Sequence, residues 1–177
     1  MSVMASRSFR AAEYKVKRRS EVAKAVEEAR SQGKTVVFTN GCFDILHIGH
    51  VRYLQDARAL GDVLVVGVNS DDSVRRLKGP ERPVVPEFER VEILSALECV
   101  DYVTIFTEDT PVELILAIRP DIHVKGGDYK PEDLPEAEAV RSVGGRVEIV
   151  SYTSTETQGR STTNLIGKIV KNHRGDG

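Results

Sequence analysis

The chain has 177 residues, 40% hydrophobic and 29% charged, with a formal net charge of -2. That supplies one α/β core of ordinary size with no sign of a second, and it argues against nucleic acid as a partner, since such domains usually carry a basic excess. No apolar run approaches the roughly 18 residues of a membrane span, and the N-terminus lacks the apolar block of a secretory signal.

Residues 1–19 read as a flexible basic arm, in which Arg7, Arg10, Lys15, Lys17, Arg18 and Arg19 are opposed only by Glu13. Residues 20–172 read as a single domain, followed by a disordered tail at 173–177. The domain opens with a helix over Ser20 to Ser31, whose Val22, Ala25, Val26 and Ala29 recur at helical spacing before Gly33 closes it. From there strands and helices alternate. Strands are expected at Thr35 to Thr39, Val63 to Val68, Tyr102 to Phe106, Ile122 to Lys125 and Arg146 to Val150. Helices are expected near His50 to Ala59, Glu89 to Glu98, after Thr110-Pro111, at Glu136 to Ser142 and at Thr162 to Val170. Asn69 to Pro86 reads as a polar, turn-rich connection. This alternation predicts a Rossmann-like, doubly wound sheet of about five parallel strands with helices on both faces. Ligands of such sheets bind beyond the carboxyl ends of the strands. Cys42 and Cys99 lack metal-type spacing and read as thiols of a reducing cytoplasm.

The most informative segment follows the first strand. It contains His47-Ile-Gly-His50, two imidazoles three residues apart around a glycine. With His50 opening a helix and His47 just before it, both rings face a helix N-terminus, where unpaired N–H groups and partial positive charge favour phosphate. Gly41 permits a sharp turn out of the strand, and Gly49 permits close approach of the backbone. Metal binding is the weaker reading, because helical ligand pairs usually sit four apart and no third ligand is evident. Two packing histidines without chemistry remain the bland alternative.

Gly41-Cys-Phe-Asp44 followed by His47-Ile-Gly-His50 resembles the signature of the cytidylyltransferase-like nucleotidyltransferases. Class I aminoacyl-tRNA synthetases share the four-residue signature, but the chain is too short for one and has no Lys-Met-Ser-Lys-Ser loop. Leu77-Lys-Gly79, Arg82-Pro83-Val84, Glu89-Arg90, Val124-Lys-Gly-Gly-Asp-Tyr129 and Ser161-Thr-Thr-Asn-Leu-Ile166 fall in family order. Within the family this set is similar to the adenylyltransferase domains that make ADP-heptose from D-glycero-β-D-manno-heptose 1-phosphate and ATP.

That resemblance implies roles. His47 and His50 would bind the triphosphate and stabilise charge as pyrophosphate leaves. Asn40, Gly41, Cys42, Phe43 and Gly49 would line the nucleotide. Asp44 would orient a donor or help hold Mg²⁺, or else serve only as a turn residue. Lys78, in a mobile loop, and Arg90, near a helix start, would reach substrate phosphates; Arg90 could instead be a surface arginine paired with Glu87 or Glu89. Lys125, Gly126 and Asp128 would meet the ribose or sugar hydroxyls. Ser161, Thr162 and Thr163 would form a second anion site at the last helix. ATP and Mg²⁺ are the implied cofactors, a sugar 1-phosphate the acceptor, and a homodimer a suggested assembly. A separate sugar kinase would supply the acceptor.

One departure stands out. Related cytidylyltransferases carry Arg-Thr-Glu-Gly before Ile-Ser-Thr-Thr, whereas this chain has Glu156-Thr-Gln-Gly159 before Arg160-Ser-Thr-Thr163. Arg160 is a candidate for the displaced charge. A glycerol 3-phosphate, flavin or pantetheine phosphate acceptor, and a nucleotide-binding protein without turnover, stay open at this stage.

Overall fold

The computed structural model describes residues 12–127, 134–150 and 162–173. The elements run α1 (Arg19–Ser31), β1 (Val36–Gly41), α2 (Ile48–Arg58), β2 (Val63–Asn69), α3 (Asp71–Lys78) and α4 (Glu87–Ser95). They continue with β3 (Tyr102–Phe106), α5 (Val112–Ile118), β4 (Ile122–Gly126), α6 (Ala137–Ser142), β5 (Arg146–Val150) and α7 (Thr162–His173). All five expected strands are present and form one parallel sheet in the order β3-β2-β1-β4-β5. The doubly wound arrangement anticipated from the alternation is the observed one.

Each strand splits its residues between two cores. Val36 and Phe38 of β1 and Val63 and Val65 of β2 pack with Val22 and Val26 of α1 and Leu114 and Ile115 of α5. The intervening Val37, Leu64, Val66 and Val68 face Leu54 and Ala57 of α2 and Val91 and Leu94 of α4. Every residue of β2 is buried, as a central parallel strand covered on both sides requires. Full burial of a side chain such as Leu54 or Leu94 stabilises by about 1.5–3 kcal/mol.

Two segments differ from expectation. The connection after β2 contains α3, with only Val74 and Leu77 as apolar signals. Its start is secured by polar groups instead: Ser70 Oγ accepts from the Ser73 amide, and Glu87 takes the Asp71 amide at 2.6 Å. The basic segment before α1 is docked from residue 12 onward. The Lys17 amide donates to the Val103 carbonyl at 2.9 Å, Lys15 Nζ donates to Leu97 O at 3.1 Å, and Arg19 pairs with Glu108. Arg7 and Arg10 lie outside the described residues.

The feature that positions the site is a parting of strands. β1 and β2 pair over six residues, but β1 and β4 pair only at Val37–Ile122 and Phe38–His123. Beyond those pairs both strands continue without a mutual ladder. The phenol of Tyr53, from α2, enters the gap and donates to the Val124 carbonyl at 2.8 Å, with Thr39 Oγ1 at 2.6 Å. A buried carbonyl that the sheet leaves open is thereby satisfied.

At Gly145, between α6 and β5, an added Cβ would stand 2.4 Å from the Pro120 carbonyl oxygen. Gly145→Ala therefore forces a backbone shift, with an expected loss of about 1–3 kcal/mol. A urea titration should show the midpoint falling at unchanged slope.

Candidate active site

A cleft of about 790 Å³ opens over the carboxyl ends of the strands, at the parting of β1 and β4. Its floor is the segment leaving β1. Phe43 adopts φ +46° there, and its ring lies so close to Gly41 that a Cβ on Gly41 would meet it at 3.2 Å. Asn40, Gly41, Cys42 and Phe43 all line the cleft. Burial raises the Cys42 thiol pKa, outweighing the nearby Lys78, Arg90 and Arg82 cations.

The two histidines enter through α2. His47 is its N-cap and Ile48 its first residue, so His50 sits in the first turn rather than opening the helix. The rings stack with centroids 3.9 Å apart, and the His47 amide donates to His50 Nδ1 at 3.4 Å. His50 lines the cleft. Gly49 has a reason that the sequence did not show: a Cβ there would stand 2.9 Å from His47 Nδ1, so only glycine leaves room for that ring. Burial, then the neighbouring His47, lowers the His50 pKa to about 4. His50 is therefore a neutral imidazole near pH 7. With Nδ1 accepting, its proton sits on Nε2, a donor suited to a phosphate oxygen.

Asp44 and Arg90 are both held by protein partners. Asp44 is buried. Its Oδ1 accepts from the Val84 and Val85 amides at 2.8 and 2.9 Å, and its Oδ2 from Arg82 Nε. Burial would raise its pKa, but the two amides and Arg82 outweigh that and hold the carboxyl below its ordinary value. Of the donors near it, Asp44 holds Arg82 and the two amides. Arg90 is a correction. It is fully buried and donates to Val85 O, Cys42 O and Asp71 Oδ1, so it reaches neither the cleft nor Glu87 or Glu89. The expectation failed because Arg90 lies on the inward face of α4, where only folding brings three acceptors to it.

Lys78 lines the cleft from the last turn of α3, not from a mobile loop. On the opposite wall, Lys125 Nζ donates to Asn40 Oδ1 at 3.0 Å across the strand gap and pairs with Glu136 at 2.9 Å. Glu136 also faces His123 Nε2 at 3.3 Å. Burial would raise the Glu136 pKa, but His123 and Lys125 bring it down to about 2. Burial lowers the pKa of His123, against the pull of Glu136. Gly126, Thr162 and Thr163 complete this wall, with Thr162 Oγ1 donating to Ile45 O at 3.4 Å. Asp128, Ser161 and Arg160 lie outside the described residues. Glu136 and Tyr53 were not assigned to the site from the sequence, and Arg82 was noted there only within a motif in family order, without a role. Arg82 had a usable signal, a cation four residues after Lys78 in a Gly/Pro-bounded stretch; Glu136 had none.

Among the described residues no three His, Cys, Asp or Glu side chains are grouped to hold a metal ion, and no helix is long and apolar enough to cross a membrane. His50, from the first turn of α2, lines the same cleft as Lys78 and Lys125, at the parting where doubly wound sheets take their ligands. The cytidylyltransferase-like family model matches residues 38–168, and the chain belongs to that family. It is 58% identical over 88% of its length to the bifunctional protein HldE of Syntrophotalea carbinolica, and 54% identical over 86% to that of Pectobacterium carotovorum. The matched part is 31% of each of those proteins, so the chain spans about a third of their length. A solved structure, the lipopolysaccharide core biosynthesis protein from Thermoplasma volcanium, matches with TM-score 0.55 and 35% identity, over 67% of this chain and 96% of that one.

Two outcomes follow from the geometry. His50 and His123 stay neutral in the fold but protonate in the unfolded chain, His50 around 6.5. The unfolded state then binds more protons, so stability falls as pH drops from about 6.5 towards 4. Urea unfolding at pH 7 and pH 5 should show that fall, and His50→Asn should flatten it. Arg90→Ala strands two carbonyls and the Asp71 carboxylate, costing about 3 kcal/mol or more. Its thermal midpoint should drop well below that of wild type.

Proposed function

We propose that the chain is an adenylyltransferase domain that transfers AMP from ATP to D-glycero-β-D-manno-heptose 1-phosphate, giving ADP-heptose and pyrophosphate. The carrying observation is the cleft itself, where a neutral His50 at a helix N-terminus faces Lys78 and Lys125 over the parted strands. Family membership supports nucleotidyl transfer. The acceptor rests on the ordered motifs from Leu77 to Ile166, on the relatives named HldE, and on the similar lipopolysaccharide core biosynthesis protein.

The reaction is a single in-line displacement. An oxygen of the sugar phosphate, already anionic near neutral pH, forms the new bond to the α-phosphorus. The bond from that phosphorus to the bridging oxygen breaks, and pyrophosphate leaves with the electron pair. No strong base is required, so the protein's work is to bring two polyanions together and offset the charge that grows between them. His50 Nε2 donates to an oxygen of the triphosphate, with His47 stacked against it to fix the ring. The α2 N-terminus adds the positive end of its helix dipole, Lys78 and Lys125 supply cations, and Thr162 and Thr163 offer hydroxyls at the start of α7. Mg²⁺ enters with the nucleotide as magnesium–ATP. A sugar kinase must supply the acceptor, and the compartment fitting these substrates is the cytoplasm.

Pyrophosphate release tests the reading, with four NTPs set against heptose 1-phosphate, other sugar 1-phosphates and glycerol 3-phosphate. Release with ATP and heptose 1-phosphate is the expected result. Release only with another pair would move the acceptor or base, and silence with retained ATP binding would leave a nucleotide-binding protein without turnover. With the active pair, His50→Ala should lower kcat about a hundredfold, as loss of one preorganised donor does.

A further inference from the structure

Two arginines lie near the segment leaving β1, and the structure gives them opposite duties. Arg90 is consumed by the fold, with Nε, Nη1 and Nη2 each donating to protein oxygen and no surface left. Arg82 lines the cleft with its side chain 16% exposed, and among the described residues its guanidinium contacts only Asp44, through Nε.

Resting on the function proposed above, we propose that Arg82, aimed by Asp44, is the residue that binds the phosphate of the acceptor. A guanidinium has five N–H donors in a rigid fork. When a carboxylate holds it at Nε, the end carrying Nη1 and Nη2 remains for two oxygens of one phosphate. Asp44 is well fixed for that duty. Its side chain is 1% exposed, and its second oxygen is clamped by the Val84 and Val85 amides, so the chain on either side of Pro83 is tied to the same carboxylate. The α3 end adds a second cation to the same wall. Gly79, at φ +99°, turns the chain after Lys78, and the Arg82 amide returns to Gly79 O at 3.1 Å. Lys78 and Arg82 therefore line one side of the cleft together.

The wall they occupy identifies the ligand. In a doubly wound sheet the nucleotide takes the crevice where the strand order reverses, which here lies between β1 and β4 and is bordered by Gly41, Lys125 and Gly126. Arg82 and Lys78 come instead from the α3 end and the connection that follows it, with Arg82 seated on Asp44 in the segment leaving β1. Asn69, at the end of β2, and Asp109 and Thr110, after β3, also line the cleft; Asn69 Nδ2 donates to Ser73 Oγ at 3.0 Å and Asp109 is paired with Arg76 at 2.7 Å, so polar groups held by the protein stand beside these cations. A phosphorylated polyol matches this set: cations for its phosphate, neutral and acidic groups for its hydroxyls.

The test is steady-state kinetics of R82Q and R82K with ATP and the sugar 1-phosphate that wild type uses, each substrate varied in turn. Loss of a charge-assisted contact to phosphate should raise the acceptor KM about tenfold to a hundredfold in R82Q while leaving the ATP KM unmoved. R82K should retain most of that defect, because one ammonium cannot hold Asp44 and grip two oxygens together. D44N should raise the same KM, since Asp44 acts through Arg82. Melting curves accompany each variant, and R82K carries the comparison if R82Q does not fold. An unmoved acceptor KM, or a rise confined to the ATP KM, overturns the assignment. Wild type inactive with every sugar 1-phosphate overturns the function reading alone. In that event calorimetric titration of inorganic phosphate decides on Arg82: weaker binding to R82Q upholds its role, and equal binding removes it.

Discussion

The parting of β1 from β4 is the constraint on which the site depends. Parallel strands that stay paired to their ends leave no opening for a ligand. Here the ladder stops after two residues, and the continuing backbone must find other partners. Tyr53 satisfies the Val124 carbonyl, and Asn40 meets Lys125 one step further along, so the gap is held open by side chains rather than filled by them. The segment leaving β1, the end of β4 and the N-terminus of α2 then meet around one space. A helix N-terminus in that position needs no charged residue to attract phosphate.

Around that space the buried charges come in satisfied sets. Asp44 is matched by Arg82 and two amides, Arg90 by Asp71 and two carbonyls, and Glu136 by Lys125 and His123. An unpaired charge at any of these points would be costly, which is why each set is tightly built. Under the function proposed above, the consequence is preorganisation: the groups that line the cleft are already held in place by protein partners. His50 fits the same logic. Burial and its stacked neighbour keep it neutral, with Nδ1 accepting from the His47 amide.

Much of the architecture was legible along the chain. β2 reads as a run of buried apolar residues, α1 as a helical repeat of small aliphatics, and their alternation leads directly to a parallel sheet. α3 was hidden because most of its residues are charged and its stability comes from capping by Ser70 and Glu87, one of them seventeen residues from Ser70 along the chain. The segment at 12–19 looked like a solvated arm because its basic residues are visible locally, whereas the β3 edge and the Leu97 carbonyl that receive it are not.

The same division runs through the site. By itself the sequence determined the strand–helix order, the glycines and histidines that end β1 and start α2, and therefore the end of the sheet where a phosphate would bind. Those features depend on neighbours within a few residues, where spacing carries the geometry. Only the tertiary structure decided which arginine faces the cleft, what Asp44 holds, why Gly49 must lack a side chain, and that Glu136 sits beneath Lys125. These are contacts between residues mostly far apart along the chain, set by burial and by the need to partner every buried charge. A charge in sequence does not reveal whether its partner will be substrate or protein.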